Sequence, residues 1–267
     1  MEYPNLAVSH DGGLLRIELD KPERLNAIDL DMARGLLDIF TRIGDGRLTT
    51  RAVLLSGRGR AFCAGGDLAG ADDSGEAALD KPLEDGGREL EVTFNPLMTR
   101  IRELPVPIAA AVQGGVVGVG MSLALACDLI VAADNAYFLQ AFRHVGVTPD
   151  GGSTYMLPRR IGLGRALEMA LLGERLPAGK ALDWGVVNRV VGAADLEETA
   201  IAMVRGLADG PFSLGLTRQL MQQSCDASWR DQLHSERLAA SKATASADFL
   251  EGVKSFTEKR KPVFTGE

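Results

Sequence analysis

Aromatic residues make up only 5% of this 267-residue chain, and it holds just three cysteines and three histidines. Cys63, Cys127 and Cys225 stand far apart, with no CxxC pair and no disulfide framework, so a reducing, cytoplasmic setting is expected. His10, His144 and His234 lack the spacing of metal ligands, and no catalytic metal is expected. Basic residues are also in short supply. The 29 Lys and Arg against 36 Asp and Glu leave a net charge of −7, which argues against a nucleic-acid-binding face. A few local lysines or arginines can still hold a small phosphorylated ligand. No apolar leader is expected, because Glu2, Pro4 and Asn5 interrupt any early apolar run. One stretch, 106–133, imitates a membrane span and contains Gly114-x-x-x-Gly118, but Pro107, Gln113 and Asp128 break it and no basic flank orients it. A buried strand–turn–helix–strand accounts for it better, and no membrane partner is expected.

What is present is a chain rich enough in apolar residues, at 46%, to bury a large core. Alternation over Leu14 to Leu19 predicts a strand. Asp29 reads as an N-cap for a helix carrying Met32, Ala33, Leu36, Leu37, Phe40 and Ile43 on one stripe. Apolar runs at 52–55, 108–112 and 129–132 predict interior strands, with a helix over 90–104 stopping at Pro105 and a buried helix over 118–126. The Ala-, Asp- and Gly-rich stretch 69–87 reads as a surface loop or a poorly formed helix. Strands alternate with helices up to about residue 150, which predicts an α/β fold. Beyond Gly151 helical patterns dominate, at 166–172, 178–184, 196–207, 214–223 and 233–256. The organisation expected is a core over 1–209 and a helical C-terminal segment over 210–267 that covers the core or makes subunit contacts.

Two glycine-rich turns carry the chemistry. Phe62-Cys-Ala-Gly-Gly-Asp-Leu68 and Gly114-Gly-Val-Val-Gly-Val-Gly120 each follow a predicted strand. Such turns can aim two main-chain N–H groups at one carbonyl oxygen that gains negative charge during a reaction. Either cluster taken singly is also explained by glycine's tolerance of positive φ. Their order, with the second turn opening a buried helix, favours the chemical reading.

These segments resemble the crotonase superfamily of enoyl-CoA hydratases and isomerases. The resemblance spans nearly the whole chain, through Lys21-Pro-Glu-Arg-Leu-Asn-Ala27, the two glycine turns, Ala181-x-x-Trp184-Gly-Val-Val187 and the tail from Glu251-Gly252 to Phe264. It implies a spiral ββα core that binds an acyl-coenzyme A thioester, the coenzyme being part of the substrate and no separate cofactor being needed. It places the oxyanion donors on the N–H groups of Gly66 and Val119. It places the adenine and phosphates near Arg24 and the turn Ala64, Gly65, Gly66, Asp67 and Leu68. Tail residues matching Phe256 and Lys259 bind the coenzyme in similar proteins, often from a neighbouring subunit. Lys259 is equally explained as one of several solvated basic residues. A homotrimer or a dimer of trimers is implied.

The chain also departs from that pattern. The two glutamates of the hydratases would fall on Ser122 and Phe142, neither of which does carboxylate chemistry. Asp150, in Pro149-Asp-Gly-Gly152, is the acid that remains; read locally it is a turn residue and helix N-cap. Within the resemblance, the same segment is similar to isomerases of phenylacetate degradation and to some Δ3,Δ2-enoyl-CoA isomerases, where this acid moves protons. It also coincides with the nucleophilic acid of chlorobenzoyl-CoA dehalogenases, whose aromatic-lined pocket is not evident here. The leading expectation is double-bond isomerisation through Asp150, in a pocket to which Phe142 contributes. An enoyl-CoA hydratase and a non-catalytic acyl-CoA-binding subunit are the alternatives. His144 reads as a structural histidine or a second proton carrier, and Asp67 as a local brace for its turn.

Overall fold

The protein is described by a computed structural model covering residues 2–67 and 87–267. The loop expected at 69–87 therefore lies outside the described residues except for Gly87, as does Leu68. The chain opens with β1 (Leu6–Asp11) and β2 (Leu14–Leu19), an antiparallel pair, and continues into α1 (Leu30–Gly44) and β3 (Ala52–Gly57). Then come α2 (Asn95–Arg102), β4 (Ile108–Val112), β5 (Gly115–Val117), α3 (Val119–Ala126), β6 (Leu129–Ala133), β7 (Tyr137–Leu139) and α4 (Ser153–Ile161). The remainder adds α5 (Leu163–Leu172), β8 (Leu176–Pro177), α6 (Ala178–Trp184), β9 (Arg189–Val191) and α7 (Leu196–Ala208). It ends with α8 (Ser213–Ser224), α9 (Trp229–Thr244) and α10 (Ala247–Thr257).

Among the described residues, one sheet runs β1-β2-β3-β4-β6-β9, parallel from β2 onward, and a smaller sheet runs β5-β7-β8. Successive units (β4–β5–α3, then β6–β7–α4) each give one strand to the large sheet, one to the small sheet, and then a helix. This is the ββα spiral. The apolar runs at β3 and β4 have a direct cause. Val53, Leu55, Ile108 and Ala110 face the main core, while Ala52, Leu54, Ala109 and Ala111 face a second cluster with α7. A strand buried on both faces has no polar side to alternate with.

Local chemistry fixes the element ends. The Asp29 carboxylate accepts the Met32 N–H at 2.8 Å; of the expected stripe Met32, Ala33, Leu36, Phe40 and Ile43 are buried and Leu37 is half-buried, while Ile39, outside that stripe, is buried as well. The helix expected over 90–104 opens instead as a π-helical turn over Leu90–Phe94. Pro96 has no N–H to give the Val92 carbonyl, so an α-helical ladder cannot run through it. The single helix expected over 233–256 divides between α9 and α10, because the Ser246 hydroxyl takes the Phe249 N–H at 3.1 Å and starts a new helix. Two arginines, Arg218 buried and Arg160 half-buried, close other ends. Arg218 donates to the carbonyls of Ile101, Arg102 and Leu104 at 2.7–2.8 Å, and Arg160 donates to Leu125 and Cys127 at 3.0 and 2.5 Å. The C-terminal end of α3 is thereby capped, while its N-terminal end opens toward the candidate site. No described helix is long and apolar enough to cross a membrane, and the 106–133 run folds as β4, β5, α3 and β6.

Candidate active site

The first glycine turn is held almost entirely by its own main chain. Cys63 N–H donates to Gly115 O at 3.0 Å and Val117 N–H donates to Cys63 O at 3.0 Å, which stitches the turn to β5. Ala64 N–H donates to Leu25 O, Ile28 N–H to Gly65 O, and Asp67 N–H to Ile28 O, at 2.8–3.0 Å. Gly65 sits at φ +108°, a conformation that strains any L side chain. Within this mesh the Gly66 N–H has no acceptor among the described residues, and no described atom lies within 4 Å of where a Gly66 Cβ would sit.

The second turn is equally constrained. Gly118, at φ +53° and ψ −127°, donates its N–H to Leu139 O at 2.9 Å and turns the chain into α3. Val119 is the first residue of that helix, so its N–H has no partner within the helix, and none is found elsewhere among the described residues. The turns are packed against each other: a Cβ on Gly118 would lie 3.8 Å from Gly65 Cα, and one on Gly120 would lie 2.5 Å from both Cβ and Sγ of Cys63. Two unsatisfied amides, one at a helix N-terminus, therefore line one 280 Å³ cavity. Val117, Phe142, Leu90 and Phe94 give that cavity apolar walls, whereas Val116, Met121 and Phe138 are core residues.

Asp150 lines the same cavity. Its side chain does not cap α4, contrary to the local reading. The N-cap position belongs to Gly152, at φ +74°, and no side chain caps it. Instead the Asp150 main-chain carbonyl is gripped by Ser122 Oγ at 2.9 Å, Ser153 Oγ at 3.0 Å and Ser153 N–H at 3.1 Å. Carboxylate Oδ1 is buried and has no hydrogen-bond partner among the described residues. Burial without a partner penalises the charged form and pushes the Asp150 carboxyl up to about 6. Phe142 is buried against the cavity, and Ser122 is fully buried with its hydroxyl engaged.

Arg24, Asp67 and the neighbouring Lys21 form a charged brace at the end of the first glycine turn. Arg24 donates to one Asp67 oxygen at 2.8 Å, while Lys21 Nζ reaches the other at 2.9 Å and Asp29 at 2.6 Å. The Arg24 hydrogen bond, opposed by burial and joined by Lys21, holds the Asp67 carboxyl down at about 2. Asp67 thus braces its turn as expected, but through partners more than forty residues away rather than locally. Asn26, fully buried at φ +55°, ties the Lys21–Ala27 segment down by donating to Arg58 O and Ala61 O at 2.8 and 2.9 Å. The sequence reading missed Lys21 and the serine grip on Asp150. A lysine four residues before a chain reversal and a serine inside an apolar helix were the available signals. His144 pairs through Nε2 with Gly173 O at 2.8 Å, in keeping with a structural role. Phe256, on α10, is 86% exposed and lines a different cavity, and Lys259 follows that helix. A single chain does not bring either to the Asp150 cavity.

Repeated ββα turns around a cavity with two unpaired amides define the crotonase fold. The chain belongs to the enoyl-CoA hydratase/isomerase family, whose sequence profile it matches over residues 9–267. It is 39% identical over 264 residues to the 1,2-epoxyphenylacetyl-CoA isomerase of Escherichia coli K12, covering 97% of this chain and 98% of that one. It is 38% identical, over the full length of both chains, to a Rhodobacter capsulatus protein named "Probable enoyl-CoA hydratase". The crystal structure of an enoyl-CoA hydratase from Bacillus anthracis superposes with a TM-score of 0.89 at 32% identity, covering 98% of this chain and 100% of that one.

Proposed function

We propose that this protein is an acyl-CoA isomerase that moves a double bond by proton transfer through Asp150. The observation that carries the reading is a carboxylate and two amides that line one cavity and have no hydrogen-bond partner among the described residues. In this reading a thioester carbonyl accepts hydrogen bonds from Gly66 and Val119, which acidifies the neighbouring C–H. Asp150 removes that proton, the amides stabilise the dienolate, and the protonated Asp150 returns the proton two carbons away. An oxyanion donor contributes about 3–4 kcal/mol to such a step, and a positioned acid–base group about 10²–10⁴-fold in rate. The CoA phosphates fall to Arg24 and the 64–68 turn, and the coenzyme leaves with the product as part of it.

Water addition fits less well. Ser122 has committed its hydroxyl to a main-chain carbonyl and Phe142 carries no acid, so the pair of carboxylates that would activate water is missing. The relatives bear isomerase and hydratase names alike, and both reactions are to be assayed. Incubation with 3-enoyl-CoA is expected to yield the 2-enoyl isomer, and Asp150→Asn is expected to abolish turnover while sparing CoA binding. Rapid hydration of 2-enoyl-CoA with no migration in 3-enoyl-CoA would overturn the reading. An idle acyl-CoA binder would show neither reaction.

A further inference from the structure

Ser122 occupies a place where a carboxylate would serve hydratase chemistry, and the question is what its hydroxyl does instead. Its main-chain N–H donates to Gly118 O at 3.1 Å, as the first α-helical bond of α3. That carbonyl belongs to the peptide unit whose N–H is the Val119 amide. The Ser122 hydroxyl donates to Asp150 O at 2.9 Å, its longer contact to Gly118 O being 3.4 Å. A hydroxyl carries one proton, so the shorter contact takes it. A single, fully buried residue is therefore hydrogen-bonded both to the peptide that would stabilise developing negative charge and to the residue that would remove the proton.

Packing makes the link stiff. Gly151 follows Asp150 at φ +58°, and a Cβ there would lie 2.7 Å from Ser122 Cβ and 3.5 Å from Val119 Cγ2. The Asp150 turn is pressed onto α3 with no room for a side chain between them. Because the hydroxyl holds the main chain and not the carboxylate, Asp150 Oδ1 keeps no partner among the described residues and stays free for proton transfer.

We propose that Ser122 is a positioning residue: it fixes Asp150 at a set distance from the Val119 amide through one hydrogen bond to the Asp150 carbonyl. This rests on the isomerase reading above and deepens it.

Ser122→Ala removes the hydroxyl while adding no volume, and Ser153 still holds the Asp150 carbonyl through two bonds, so the variant is expected to fold. Steady-state kinetics on 3-enoyl-CoA, beside thermal unfolding and with Asp150→Asn as control, test it. The expected result is kcat lower by about tenfold or more with KM within about twofold, since misplacing a reacting group by an ångström costs up to about 10²-fold. A parental kcat in Ser122→Ala, or a lower melting temperature with kcat and KM moving together, overturns the positioning role. An active Asp150→Asn would instead overturn the isomerase reading itself, so the two failures are distinguishable.

Discussion

Asp150 has one carboxyl oxygen buried with no hydrogen-bond partner among the described residues. Its folded value, about 6, lies above its ordinary 3.8, so the folded state binds the proton more tightly than the unfolded chain. Between those values the contribution of this group to stability grows as pH falls and is lost as pH rises through about 6. Asp150→Asn is therefore expected to raise the melting temperature at pH 7, with the gain shrinking to nothing near pH 4; an unchanged or lower melting temperature at pH 7 would contradict it. Catalysis runs the other way. A base must be deprotonated, so kcat/KM is expected to fall on the acid side through an apparent value near 6, and a pH profile flat down to pH 4.5 would remove Asp150 from the role.

At the scale of elements, the site depends on how closely α3 approaches the first glycine turn. Gly120 and Gly66 separate stability from chemistry. Gly120→Ala would drive a methyl to 2.5 Å from Cys63, and overpacking of this kind costs about 1–3 kcal/mol. Both melting temperature and activity are expected to fall. Gly66 has open space at its Cβ position and lies outside the positive-φ set, so Gly66→Ala is expected to keep the parental melting temperature. Its methyl would enter the cavity beside the amide, and kcat/KM is expected to drop by about 10²-fold. Equal thermal losses in both variants would show that the two turns are not packed as described.

For the whole molecule, the surface carries apolar residues that a lone chain leaves in water. Leu163, Leu167 and Leu171 recur along α5, and Leu250, Val253 and Phe256 along α10, with exposures from 46% to 86%. Contiguous apolar faces of this kind mark association sites. A trimer or dimer of trimers is expected from the family resemblance, and it would also offer Phe256 and Lys259 to a neighbouring cavity. Light scattering is expected to give a particle of three chains or a multiple, and Val253→Asp to shift it toward smaller species. A stable monomer of the parent protein would contradict both.

The sequence by itself determined the strands buried on both faces, the Asp29 cap and the two glycine turns, because each is written in the spacing or conformational tolerance of adjacent residues; Asp150 stood out as a candidate only through the family resemblance, its local sequence reading as a turn and cap. It misread the helix over 233–256, where one serine hydroxyl outcompeted a continuous apolar pattern, and the start of the helix over 90–104, where Pro96 removed a donor. Tertiary structure alone decided that the Asp150 carboxylate finds no partner among the described residues instead of capping α4, that Asp67 pairs with Lys21 and Arg24, and that the Ser122 hydroxyl meets the Asp150 carbonyl. Those outcomes depend on groups tens of residues apart meeting in the folded chain, and local sequence carries no record of which donor arrives.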